Sequence, residues 1–329
     1  MSTQQRPTLS KTSPAFRDFI RGILINTCEL NIDYVDILTN EDNMVLYRHA
    51  FTTKFEHPSN NYELYEFFGD VELAAALVHY VRKKYPILFS KGCYVTAVFS
   101  RIKIKYLAHS IFSKLSDEHG FGQWVNPPTE HYLQTHTKEA ISYRGKKGKK
   151  GGLPGLYEDV FESFVGITHQ LIDDQILNGF ATSVVRTFVR NIWDSSVIID
   201  FSYKSLFDAK TRLKEEIDYI YIVWNMLTPK GGTLKEESTY DAETETSITS
   251  ISFHWPAGQK PQDKTSKKLG KEGRRIQLIN NFSRIQNQDD NVQEASELAL
   301  TELRRIELEN GLEPKHMPAI NQEIESIFY

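Results

Sequence analysis

The stretch "NYELYEFFGD", Asn61 to Asp70, decides the reading. It runs on as "VELAAALVHYVRKKY", and the whole segment reads as one helix that is apolar over most of its surface. Glu63, Glu66 and Asp70 nevertheless recur at spacings of three and four. At 3.6 residues per turn these positions fall on one stripe. Glu66 and Asp70 are like charges one turn apart and repel each other. Phe67, Phe68, Val71, Ala74, Ala75, Leu77, Val78 and Val81 are expected to pack against protein. Carboxylates beside such a surface are costly unless something pairs with them. Two readings stand: a solvated acidic edge, the usual fate of a charge run, or ligands for a hard divalent cation. A second cluster is needed to choose.

That cluster lies in "LYEDVFESFVGI". Asp159 and Glu162 sit at i and i+3, between Val160, Phe161, Phe164 and Val165. Two apolar helices meeting through carboxylates is how helical bundles build metal sites.

The pair of segments resembles the ribonuclease III signature, N-E-x-L-E-F-L-G-D followed much later by A-D-x-x-E-A-x-I-G; here they read "NYELYEFFGD" and "YEDVFESFVG". The resemblance implies that Glu66, Asp70, Asp159 and Glu162 hold a catalytic Mg²⁺, with Mn²⁺ able to substitute. It also implies that Glu63 helps orient the site and its dimer partner. "LYRHAFTTKFEHPSNNYE" is similar to the family's L-x-x-A-L-T-H-x-S approach, with Thr53 in place of its His. "GCYVTAVFSRIKIKYLA" keeps the spacing from a Gly to a Leu-Ala pair, and Lys91 stands where many members carry an acid. "DAKTRLKEEID" and "EASELALTELRR" resemble the first and last helices of a double-stranded-RNA-binding domain. The last lacks that domain's Lys-Lys pair; Val292 and Gln293 stand there, after Asp289 and Asp290.

The chain has 329 residues, 40% of them hydrophobic, enough for two domains with a sizeable core. Its net charge of −4 excludes a polycation, so any nucleic-acid contact rests on local basic patches. The two cysteines, Cys28 and Cys93, suggest no disulfide framework; they read as core thiols in an intracellular, reducing compartment. No run of eighteen apolar residues appears, so no membrane span is expected. His131 and His136 lack cysteine partners and read as surface residues, not zinc ligands.

The expected fold is mainly α: a helical ribonuclease III endonuclease domain over 16–195, then a small α+β (α-β-β-β-α) double-stranded-RNA-binding-like domain over 205–312. Residues 1–15 read as a polar tail, and 313–329 as a tail that either docks or floats. "DAKTRLKEEIDYIYIVW" reads as a helix running into a strand, and "SITSISFHW" as a half-buried strand with Ile251, Phe253 and Trp255 inward. Two basic loops are candidate phosphate contacts. One, "RGKKGKKGGLPG", carries Lys146, Lys147, Lys149 and Lys150. The other, "KTSKKLGKEGRR", carries Lys264, Lys267, Lys268, Arg274 and Arg275. The expected function is Mg²⁺-dependent endonucleolytic cleavage of double-stranded RNA by a homodimer, through water attack on the phosphodiester. The rival is a non-catalytic, RNA-binding or ribosome-associated scaffold that kept the fold. A helical di-metal oxidase is rejected because its Glu-x-x-His pairs are absent.

Overall fold

The computed structural model describes residues 13–90, 95–126, 153–223, 234–241, 243–255, 274–286, 288–309, 311–313 and 319–328. The chain divides into two compact units, Met1–Ile199 and Asp200–Tyr329. The architecture is mainly α with one small antiparallel sheet.

The described helices of the first unit are α1 (Pro14–Asn26), α2 (Ile32–Leu38), α3 (Glu41–Ala50), α4 (Glu63–Lys84), α5 (Pro86–Phe89), α6 (Thr96–Tyr106), α7 (His109–Glu118), α8 (Leu153–Gln175) and α9 (Phe180–Ser196). Their starts are written locally. Ser13, Asn31 and Asn40 cap α1, α2 and α3 through their side chains. At α4, Asn61 Oδ1 accepts from the Glu63 amide at 3.0 Å. Glu63 and Glu66 in its first turn, and Arg82, Lys83 and Lys84 in its last, suit the helix dipole. Helix α4 stops short of Pro86, which opens α5.

Helix α8 is the central element, packed against α2, α3, α4, α7 and α9. It buries Val160, Phe161, Phe164, Val165, Ile167, Leu171 and Ile172. Around it runs a chain of rings from Phe16 and Phe19 through Phe51 and Phe121 to Phe161, and from there to Phe188 and, by way of Phe112, to Trp193. Cys28 is buried in this unit, and burial raises its thiol pKa; Cys93 lies outside the described residues.

Helix α4 buries only part of its apolar surface within this chain. Leu77 and Val81 are buried, but Phe67 is 67% exposed, Phe68 50%, Val71 55% and Val78 44%. With Leu64 they form an apolar stripe at i, i+3, i+4 and i+7 that the described residues leave exposed.

The second unit contains α10 (Tyr203–Leu206), α11 (Ala209–Val223), β1 (Leu234–Asp241), β2 (Thr246–Trp255), β3 (Arg274–Ile285), α12 (Gln288–Glu309) and α13 (Ala319–Phe328). The sheet order is β1-β2-β3, all antiparallel, with Leu234 opposite Phe253 and Thr246 opposite Ile285. Its inner face (Ile251, Phe253, Trp255, Leu278) closes on Leu213, Ile217, Ile220 and Tyr221 of α11 and on Ala295, Ala299, Leu300 and Leu303 of α12. "YIYIV" does not become a strand: it completes α11, because Leu213, Ile217, Ile220 and Tyr221 bury at helical spacing. Arg274 and Arg275 are not in a loop: they open β3, opposite Trp255 and His254. The C-terminal segment forms α13, with Ile324 buried and Phe328 stacked on Phe201 at 4.3 Å.

Candidate active site

The two acidic helices meet backbone to backbone. A Cβ at Gly69 would lie 1.8 Å from Glu162 O, and one at Gly166 would lie 2.0 Å from Tyr65 O. Only glycine permits that approach, although glycine inside a helix costs about 1 kcal/mol relative to alanine. Two further contacts flank the crossing. Before it, Ser163 Oγ lies 2.6 Å from Asp159 O and 3.1 Å from Tyr62 O. Beyond it, Glu72 Oε2 stands 3.4 Å from His169 Nε2. The crossing therefore sets Glu66 and Asp70 of α4 beside Asp159 and Glu162 of α8.

Electrostatics shows the four as neighbours. Glu162 is only 6% exposed. Burial, then the charges of Asp70, Glu66 and Asp159, pushes its carboxyl up to about 9. Asp159 is pushed up to about 7, by burial first and Glu66 second, against a hydrogen bond from Tyr62 and the charge of Lys54. Glu66 is also raised, by burial and then by Glu63, with Lys54 opposing. Glu63 is half-exposed and ion-paired to Lys54, Nζ to Oε1 2.6 Å; Asp70 is exposed.

An oxygen-only, like-charged, half-buried donor set suits a hard divalent cation, whose charge would cancel the repulsion. Among the described residues, no three acidic, histidine or cysteine groups stand close enough to enclose a metal. The acids are spaced as mutually repelling carboxylates, neighbours without a closed ligand shell.

Lys146, Lys147, Lys149, Lys150, Lys264, Lys267 and Lys268 lie outside the described residues, as do His131, His136, Lys91 and the side chain of Arg274. Arg275 is exposed on β3. In the second unit, Lys204 and Arg212 face Glu297, and Lys210 faces Glu236. Helix α12 opens with Asp289 and Asp290, so its N-terminal turn repels phosphate. Three groups escaped the sequence reading: Lys54, Tyr62 and the glycine pair. Glycines inside two apolar helices were the available signal for the last; nothing in the pattern marked Tyr62.

No protein-family profile matches the chain. A protein of Invertebrate iridescent virus 6, provisionally named a ribonuclease 3, is 28% identical over 214 residues, covering 61% of this chain and 66% of the relative. A second of the same provisional name, from Frog virus 3, is 31% identical over 175 residues, 53% of this chain and 42% of the relative. Ribonuclease 3 of Limosilactobacillus reuteri is 28% identical over 180 residues, 53% of this chain and 65% of the relative. This chain is a relative of ribonuclease III. It spans two thirds or less of the length of these relatives. The solved nuclease domain of ribonuclease III from Campylobacter jejuni aligns over 52% of this chain and 99% of that domain, at 23% identity and a TM-score of 0.34. No described helix is long and apolar enough to cross a membrane.

Proposed function

We propose that this ribonuclease III relative is a Mg²⁺-dependent endonuclease that cleaves double-stranded RNA. The observation that carries the reading is the Gly69–Gly166 crossing, beside which the charges of Glu66, Asp70 and Asp159 act on Glu162. A scaffold protein has no use for such a set, since buried like charges only destabilise it.

Glu66, Asp70, Asp159 and Glu162 would hold the cation. When bound, it supplies an acidified water and charge relief at the phosphate. The chain's own residues do the rest. Tyr62 donates to Asp159 and fixes its carboxylate. Ser163 locks the first turn of α4 to α8. Without the cation, burial and mutual repulsion favour the protonated forms of Glu162 and Asp159. No serine, cysteine or histidine nucleophile is required.

The same reading includes a homodimer. Leu64, Phe67, Phe68, Val71 and Val78 are the face that a second copy would cover, because a contiguous exposed apolar stripe on a helix is a contact surface. The test of the function is cleavage of plain duplex RNA with and without Mg²⁺: cut products only with the metal support it, and an intact duplex in both refutes it.

A further inference from the structure

Carboxylates that a bound divalent cation does not neutralise repel a phosphodiester, so a cation of the chain beside them would help to hold the substrate. Among the described residues of the second unit, many cations are already engaged. Lys204, Lys210, Arg212, Lys235, Arg284, Arg304 and Arg305 each face a carboxylate of that unit. At the cluster itself stands Lys54.

Lys54 lies on the segment between α3 and α4, and its place is built. Thr52 and Thr53 are buried beside it. The Thr53 amide donates to Asn126 O at 2.9 Å, and the Tyr62 amide donates to Thr52 O at 3.0 Å. The amides of Glu56 and His57 both close onto Thr53 O at 3.1 Å. From this anchored turn the Lys54 ammonium reaches Glu63 at 2.6 Å, with both side chains half-exposed. Its charge also acts on Glu66 and Asp159. Phe55 stands next to it, 49% exposed, its ring centroid 5.9 Å from Nζ. A half-exposed ion pair is weak and exchangeable, and lysine is a compact charge on a flexible stem. Such a group can leave one carboxylate for a phosphate without breaking the fold.

We propose that Lys54 is a substrate-positioning residue whose ammonium takes a non-bridging phosphate oxygen of the duplex RNA laid across the carboxylate cluster. The proposal rests on the endoribonuclease reading above. The test compares the full-length wild type with Lys54→Ala and Lys54→Arg on one duplex RNA. In Lys54→Ala, KM is expected to rise about tenfold with a smaller change in kcat, and the slope of log affinity against log salt should fall by about one. Lys54→Arg should recover most of the loss. Divalent-ion affinity measured without RNA should be unchanged or tighter in Lys54→Ala, because a positive neighbour of the acids is gone. Wild-type KM and salt slope in Lys54→Ala would overturn the proposal. So would a parallel loss of RNA and divalent-ion binding, which would assign Lys54 to the architecture of the acids. A wild type that neither binds nor cleaves duplex RNA is a separate result, read before any variant, and removes the function itself.

Discussion

Gly166→Ala probes the helix crossing on which the site depends. The added methyl would sit 2.0 Å from Tyr65 O and 2.9 Å from Tyr65 C, where ordinary contact begins at 3.4 Å. Those atoms are backbone, so no side chain can step aside, and α4 and α8 must separate by about 1.4 Å. Overpacking of this kind costs about 1–3 kcal/mol. Alanine's better helix propensity returns about 1 kcal/mol. With the clash at the upper end, the net loss is about 2 kcal/mol, and the Tm of the first unit should fall by roughly 4–8 °C. Gly22→Ala is the control: it also lies in a helix, and its Cβ meets nothing within 4 Å, so it should stabilise. The same separation pulls Asp159 and Glu162 from Glu66 and Asp70, and a displacement near 1 Å can cost about 10²-fold in rate. Thermal melts with and without Mg²⁺, followed by duplex cleavage, read all three effects. A Gly166→Ala protein as stable as Gly22→Ala, with wild-type cleavage, would refute the crossing.

Three other outcomes are expected. Since Glu162 and Asp159 are pushed up to about 9 and about 7, Mg²⁺ binding at pH 7 should release about one to two protons; calorimetry in buffers of different ionisation enthalpy counts them, and no release would contradict the shared site. In the second unit Glu307 is fully buried and pushed up to about 8, by burial first and Glu216 second, with Arg304 opposing. A raised carboxyl favours folding most below its unfolded pKa, so that unit should lose stability as pH rises from about 4.5 to about 8, and Glu307→Gln should flatten this slope in denaturant melts. Leu64→Glu with Phe67→Glu should leave a folded monomer by light scattering at high micromolar concentration, where the wild type is a dimer; a monomeric wild type would end that claim.

How much was legible in the sequence differs by element. The acids of α4 and α8 could be read because charge at helical spacing inside apolar segments contradicts its surroundings. The β2 alternation was equally plain, and Ile251, Phe253 and Trp255 are buried as its period required. Strand β1, "LKEESTYD", carries no apolar alternation; its strand form comes from pairing with β2, which follows it in a hairpin with Asp241 opposite Thr246. "YIYIV" has strand-like residue types, yet packing against the sheet keeps it in α11. The surplus apolar surface of α4 was legible, but not which side chains it would leave exposed, because an apolar helix surface looks the same whether its own chain or another covers it. Lys54 and Tyr62 reach the acids through a turn whose course depends on Asn126, far along the chain, and no local pattern encodes that.

The central claim, that carboxylates from two helices form one cutting site, is tested most directly by Asp70→Asn and Asp159→Asn on duplex RNA in ordinary Mg²⁺. Each substitution removes a charge without changing the helix. Both variants should bind the duplex as the wild type does and leave it uncut. Cleavage at near wild-type rate by either one would contradict the account.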